Sequence, residues 1–188
     1  MHIEFIRDSA RQMPDISKAD EVTSMTIWHC KYRSLAPLAG FTRLKALKIA
    51  TFADTTLDPL EGLEQLEWLS ILHLPKIDDL QPLASLQALT SLALATSSGW
   101  DASRRRQVVR SLEPLVSLPR LSALSLFGVV AQDKSLAALE RCNTLANVRL
   151  SGYPVWEMKR YYAATGVQHG HMPDFPGEFP VKRPSEPF

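Results

Sequence analysis

The chain has 188 residues, 45% of them hydrophobic, and a formal net charge of +1. That length suits one domain, and the near-neutral balance supplies no global pull toward nucleic acid or an anionic membrane surface. No apolar run approaches the roughly 18 residues of a membrane-spanning helix, and the sequence holds no phosphate-cradling glycine loop, His-Glu-x-x-His or Cys-x-x-Cys, so neither a membrane protein nor a catalytic constellation is expected.

From the N-terminus, Ile3 and Phe5 are two apart and predict a short strand that begins the fold as an edge; Met1 to Asp8 has no long apolar stretch after a basic start, so a secretory signal is not expected. Next come Met13, Ile16, Ala19, Val22, Met25 and Ile27. An offset of 22 residues turns these into Leu35, Leu38, Phe41, Leu44, Leu47 and Ile49, and a second such step gives Leu57, Leu60, Leu63, Leu66, Leu69 and Ile71. Three further copies follow with small slips, from Leu80 to Leu94, Leu112 to Leu126 and Leu136 to Leu150. Within each unit, apolar residues every third position suit a 3₁₀ or single α-turn, and the closing pair two apart suits one face of a short strand. Pro37, Pro59, Pro82 and Pro114 each fall two residues after the first leucine of their unit. Proline is tolerated at the start of a helical turn but not inside a sheet, so the register is set twice over. A fixed period of this size predicts a solenoid whose units bury their apolar faces only against neighbours, with a parallel sheet on the concave side.

Between Leu94 and Leu112 lie about ten residues more than in neighbouring units; insertions in solenoids map to loops and often to a binding face. Asp101 or Ser103 is expected to cap a short helix carrying Arg104, Arg105 and Arg106. Beyond Leu150, helical spacing over 155–164 puts Met158 and Tyr161 or Tyr162 on one face, and Gly166 can end that helix. The last segment, with Pro173, Pro176, Pro180, Pro184 and Pro187 among Phe175, Phe179 and Phe188, predicts an extended tail laid over the array. The expected organisation is an array over 1–153, with seven strands, about six repeats and the 95–111 insertion, and a capping helix and tail over 154–188. Cys30 and Cys142 would then lie about 20 Å apart, several strand spacings of ~4.8 Å, far beyond disulfide reach. Two free thiols fit a reducing compartment, and the chain reads as cytoplasmic.

The run Ile77-Asp78-Asp79-Leu80-Gln81-Pro82-Leu83, with leucines every third residue and then Leu-x-Leu, resembles the leucine-rich repeats of internalins and of phosphatase-regulatory repeat proteins. The resemblance covers residues 1 to 153 and implies an α/β repeat solenoid serving as a binding module. One slot departs from that family. Where Asn or Cys usually follows the strand, this chain has Cys30, Phe52, Leu74, Ser97, Val129 and Tyr153, so apolar packing is expected to replace a side-chain hydrogen-bond ladder.

The register also predicts what faces outward. The residues between the paired leucines include Lys48 and Arg149, the slot after them includes Trp28, Leu72 and Phe127, and the slot before them holds Trp68 among small residues. His29 and His73 follow at strand ends. Aromatic anchors in a depression resemble a protein-binding hot spot, so Trp28, His29, Lys48, Trp68, Leu72, His73, Phe127 and Arg149, with Trp100, Arg104 and Arg105 from the insertion, are expected to meet a protein partner. The arginine run reads first as a solvated helix face, next as a contact for an acidic protein, and last as a phosphate or nucleic-acid contact. An inhibitor or immunity-type protein is one concrete form. The competing readings are a metal-dependent or enzymatic role through His169, His171 and Asp174, and a structural spacer. Histidines in a Gly- and Pro-rich tail are more often surface loop residues, so no metal, cofactor or small-molecule substrate is expected.

Overall fold

Pairs of leucines or isoleucines two apart close every coil with a strand. The computed structural model describes residues 1–170 and 172–176, Asp101 by its backbone alone. The expected seven strands are β1 (His2–Ile6), β2 (Ser24–Trp28), β3 (Ala46–Ala50), β4 (Trp68–Leu72), β5 (Ser91–Ala95), β7 (Ala123–Phe127) and β9 (Asn147–Ser151), all parallel. Three further strands extend this plan. β10 (Gln168–His169) adds an eighth strand beside β9, while β6 (Gln107–Val109) and β8 (Val129–Ala131) form a separate parallel pair. The repeat period places like residues opposite each other: Met25, Leu47, Leu69, Leu92, Leu124 and Val148 form one continuous buried row.

Across the core, 3₁₀ turns at Ala19–Glu21, Ala36–Gly40, Asp58–Leu60, Gln81–Ser85 and Ala137–Arg141, with α2 (Glu113–Val116), carry the third-residue apolar positions. Pro37, Pro59, Pro82 and Pro114 all sit at the starts of these turns, where the missing N–H costs nothing. Leu38, Leu60, Leu83 and Leu115 point inward and are fully buried.

Immediately after the strand, the backbone turns left-handed. Arg7, His29, Thr51 and His73 have φ of 53°, 53°, 70° and 65°, and Gly128 and Gly152 take the same slot at 70° and 89°. This turn sends the next residue inward, so Phe52, Leu74, Val129 and Tyr153 join the core, and apolar packing stands, as expected, where internalin-type repeats usually carry a hydrogen-bonding side chain. Polar satisfaction is not wholly lost: the Ala131 N–H donates to Tyr153 Oη at 2.9 Å, and burial pushes that phenol up to about 12. Cys30 and Cys142 are both free thiols.

The insertion departs from expectation. α1 (Ser98–Ala102) precedes the arginines rather than carrying them, because Arg104 adopts a left-handed φ of 58° and the chain then runs extended into β6. The Gln107 N–H donates to Gly128 O at 2.8 Å and the Arg110 N–H to Asp78 O at 2.7 Å, so the insertion stitches two neighbouring units together through backbone bonds. The suggested cap by Asp101 lies outside what is described of that side chain.

At the far end α3 (Val155–Thr165) closes the array, ending at Gly166 with φ 67° and its N–H on Tyr162 O at 3.0 Å. Tyr161 is fully buried, with Met158 and Tyr162 packed against the core beside it. The Glu157 carboxylate, 3% exposed, accepts the Leu136 N–H at 2.7 Å and the Arg160 guanidinium at 2.7 and 2.8 Å. Arg160 bridges on to Glu140 at 2.6 Å, tying the cap to the last repeat.

Two outcomes follow. Leu47→Ala, at a fully buried position in the middle of the row, should cost about 2–5 kcal/mol in urea unfolding through the cavity it leaves. The hydrogen bonds from Arg160 and Leu136 hold the Glu157 carboxyl below its ordinary value. Its stabilisation is therefore complete above the unfolded pKa of about 4.3 and lost as pH falls through the lower folded value. Glu157→Gln should lower the melting temperature at pH 7 and flatten its fall between roughly pH 5 and 3; thermal melts across that range read both.

Candidate functional site

Three rows of side chains project from the concave side of the sheet, because alternate strand residues point away from the core. In the row at the strand ends, Ile6, Trp28, Ala50, Leu72, Ala95, Phe127 and Ser151 lie opposite one another in register. Trp28, Leu72 and Phe127 are half-buried, and Ile6 is 56% exposed. The alanines beside Leu72, and Ala95 and Ser151 beside Phe127, are too short to cover their flanks. The middle row holds cations over these rings. Lys48 Nζ stands 5.3 Å from the Trp28 ring centre, and the Arg149 guanidinium stands 5.6 Å from that of Phe127. Such contacts hold a long basic side chain against an aromatic face.

The first row is different. Ser24, Ala46, Ser91 and Ala123 are small and buried, and Trp68 is the one large side chain among them. The sequence predicts an exposed Trp68; the structure shows it 8% exposed, because the tail returns across the sheet and seats Phe175 against it. The two rings meet edge-on at 4.9 Å, Phe175 rests on Ala46, and the Trp68 Nε1–H donates to Pro173 O at 3.1 Å. The extended tail was legible from its prolines, but nothing in the local sequence says which of its phenylalanines lands on which strand. Phe179, Phe188 and the later prolines lie outside the described residues.

The left-handed turn places His29 and His73 along the rim where the strands end. His29 Nδ1 is 3.3 Å from Thr51 Oγ1. His73 meets the edge of Trp100, centres 5.2 Å apart, so α1 brings the insertion to this rim as a neighbour of the concave face. Burial, with a smaller contribution from the charge of His29, lowers the His73 pKa, and its Nδ1 has no hydrogen-bond partner among the described residues. Arg104 and Arg105 are exposed beyond Trp100, with the Arg105 N–H on Trp100 O at 2.9 Å, whereas Arg106 folds back against Gly152. The structure thus brings Trp28, Lys48, Leu72, Phe127 and Arg149 onto one face and His29, His73 and Trp100 onto its rim, with Arg104 and Arg105 just outside.

His169 lies elsewhere, at the β10 edge, with Nδ1 3.2 Å from Tyr162 Oη. His171 is outside the described residues, and among the described residues no three His, Cys, Asp or Glu side chains gather as a metal site.

No protein-family model matches the chain, and no curated protein is similar to it in sequence. Its structure is similar to internalin C2 of Listeria monocytogenes at 25% identity and a TM-score of 0.52, over 70% of this chain and 53% of that one. It is also similar to the leucine-rich repeat domain of the type III effector XopL at 22% identity and a TM-score of 0.52, over 78% of this chain and 46% of that one. The chain spans about half the length of these structures. It is a leucine-rich repeat protein resembling the internalins, as its repeat pattern implies.

The His73 imidazole should titrate below the ordinary value of about 6.5, and Trp100→Ala, which removes a covering ring, should move it back upward. An NMR pH titration of the ring resonances checks both.

Proposed function

We propose that the chain is a non-catalytic recognition protein that holds a protein partner on the concave face. The observation that carries this reading is the row of Trp28, Leu72 and Phe127, outward-facing and half-exposed, with Leu72 and Phe127 flanked by residues too small to cover them and Trp28 open toward Ala50. Folding gains little from large apolar groups on that side of the sheet, whereas binding gains most from aromatic anchors surrounded by contacts that exclude water. The exposed Arg149 stands over the Phe127 ring, and Arg104 and Arg105 lie beyond the rim, so the partner that fits presents an acidic surface around apolar sockets. His29, His73 and Trp100 supply the polar border. Occupying such a partner blocks it, which makes an inhibitor or immunity-type protein the concrete form of this function. The two free thiols support a place in the cytoplasm. Among the described residues no helix is long and apolar enough to cross a membrane.

The triple variant Trp28→Ala, Leu72→Ala, Phe127→Ala tests this. A partner recovered by affinity capture with the wild-type chain should bind the variant at least about a hundredfold more weakly, since each anchor is worth on the order of 2 kcal/mol. Far-UV circular dichroism should show the sheet intact. Undiminished binding by a folded triple variant overturns the reading.

A further inference from the structure

The tail meets the concave face in a way that has the form of a ligand in a slot. After β10 pairs with β9, the chain passes Asn147, where a Cβ on Gly170 would come within 2.4 Å of Asn147 Oδ1. It then runs back across the first row toward the start of the array. Among the described residues, backbone pairing between this segment and the sheet runs from the Gln168 N–H on Ala146 O at 3.2 Å to His169 opposite Val148. From Met172 to Pro176, two contacts seat the segment on the first row. The Phe175 ring, 6% exposed, sits on Ala46 and Trp68 with the His2 ring edge-on at 5.8 Å, and the Pro173 carbonyl accepts the Trp68 indole N–H. Neither contact depends on covalent attachment to this chain. An extended peptide with a free carbonyl two residues before a phenylalanine reproduces both.

The slot is also continuous with the face already described. Lys48 Nζ lies 5.7 Å from the Phe175 ring and 5.3 Å from the Trp28 ring, so one side chain borders the occupied slot and the open row together. Removing Phe175 would join Trp68 to Trp28 across Lys48 and enlarge the apolar face. A large indole with a hydrogen-bond donor, set in a row whose other buried members are serines and alanines, reads as a socket rather than as filler.

We propose that the Trp68 slot is a recognition site for an extended peptide of the form carbonyl-x-Phe in its partner, and that the chain's own Met172–Pro176 segment is a resident competitor for that site. This rests on the concave face being the recognition surface. Because the tail is tethered, it competes at an effective concentration on the order of millimolar, so an incoming segment must either exceed that or arrive on a partner already engaged with the Trp28 row.

The test uses the full chain and a labelled peptide of residues 168–176 added in trans, read by fluorescence anisotropy. Phe175→Ala should bind the peptide saturably and at least about tenfold more tightly than the wild type, whose own tail holds the slot. A peptide with alanine at the Phe175 position should not bind, and Trp68→Phe in the Phe175→Ala background, which deletes the indole donor, should weaken binding. If Phe175→Ala does not fold, Phe175→Leu keeps an apolar group there and should still open the slot part-way. Equal binding by wild type and variant, or binding that ignores the peptide's phenylalanine, overturns the proposal. The peptide titration is read without any partner present, so failure here and failure of the partner-binding reading are separate results.

Discussion

Everything in this molecule depends on leucines buried between neighbouring coils. No single coil can hide Leu47 or Leu69, since each unit is only one turn and one strand thick; the side chains are covered because the units before and after supply the missing walls. Parallel backbone bonding then fixes like residues opposite like residues, so one misplaced coil would disturb a whole row. The ends are where this logic fails, and there the protein changes its means. β1 begins the sheet without a preceding turn, and α3 closes it with a buried Tyr161 and a carboxylate, Glu157, that gives a backbone N–H of the last repeat its partner.

The inward demand of the leucines decides what is left outside. With alternate strand residues committed to the core, the others must face the concave side, where crowding between adjacent strands favours small side chains. Ser24, Ala46, Ser91 and Ala123 obey that constraint, while Trp28, Leu72, Phe127 and Trp68 do not. Three of these exceptions remain open, and two of them, Trp28 and Phe127, carry basic groups beside them; the fourth is covered by Phe175. The protein thus treats two kinds of outward ring differently, one displayed and one occupied.

Rim chemistry has its origin in the same geometry. Changing from an outward last strand residue to an inward core residue within two positions requires a left-handed backbone, and that turn projects the intervening side chain to the edge. Glycine does this without strain at 128 and 152, but His29, Thr51 and His73 accept the strain and gain a place beside the face. His73 is then covered by Trp100 from the insertion and stays neutral at lower pH than an ordinary histidine.

The repeat period, the prolines and the paired leucines were enough to read the solenoid, the seven strands, their register and the side each residue takes, because those properties follow from local spacing summed over many copies. The outward, half-exposed positions of Trp28, Leu72 and Phe127 were legible for the same reason. Three features were not. The insertion's arginines lie outside its helix because a left-handed turn at Arg104 and pairing of Gln107–Val109 with Val129–Ala131 override local helical spacing. The eighth strand is only two residues long, too short to leave a periodic signal. Above all, the cover on Trp68 comes from Phe175, more than a hundred residues away, and its placement depends on where the capping helix releases the chain. Spacing by itself determined a curved sheet bearing outward rings. Which ring stays free was decided only in three dimensions, since contact between a non-repeating tail and a repeating sheet has no period to read.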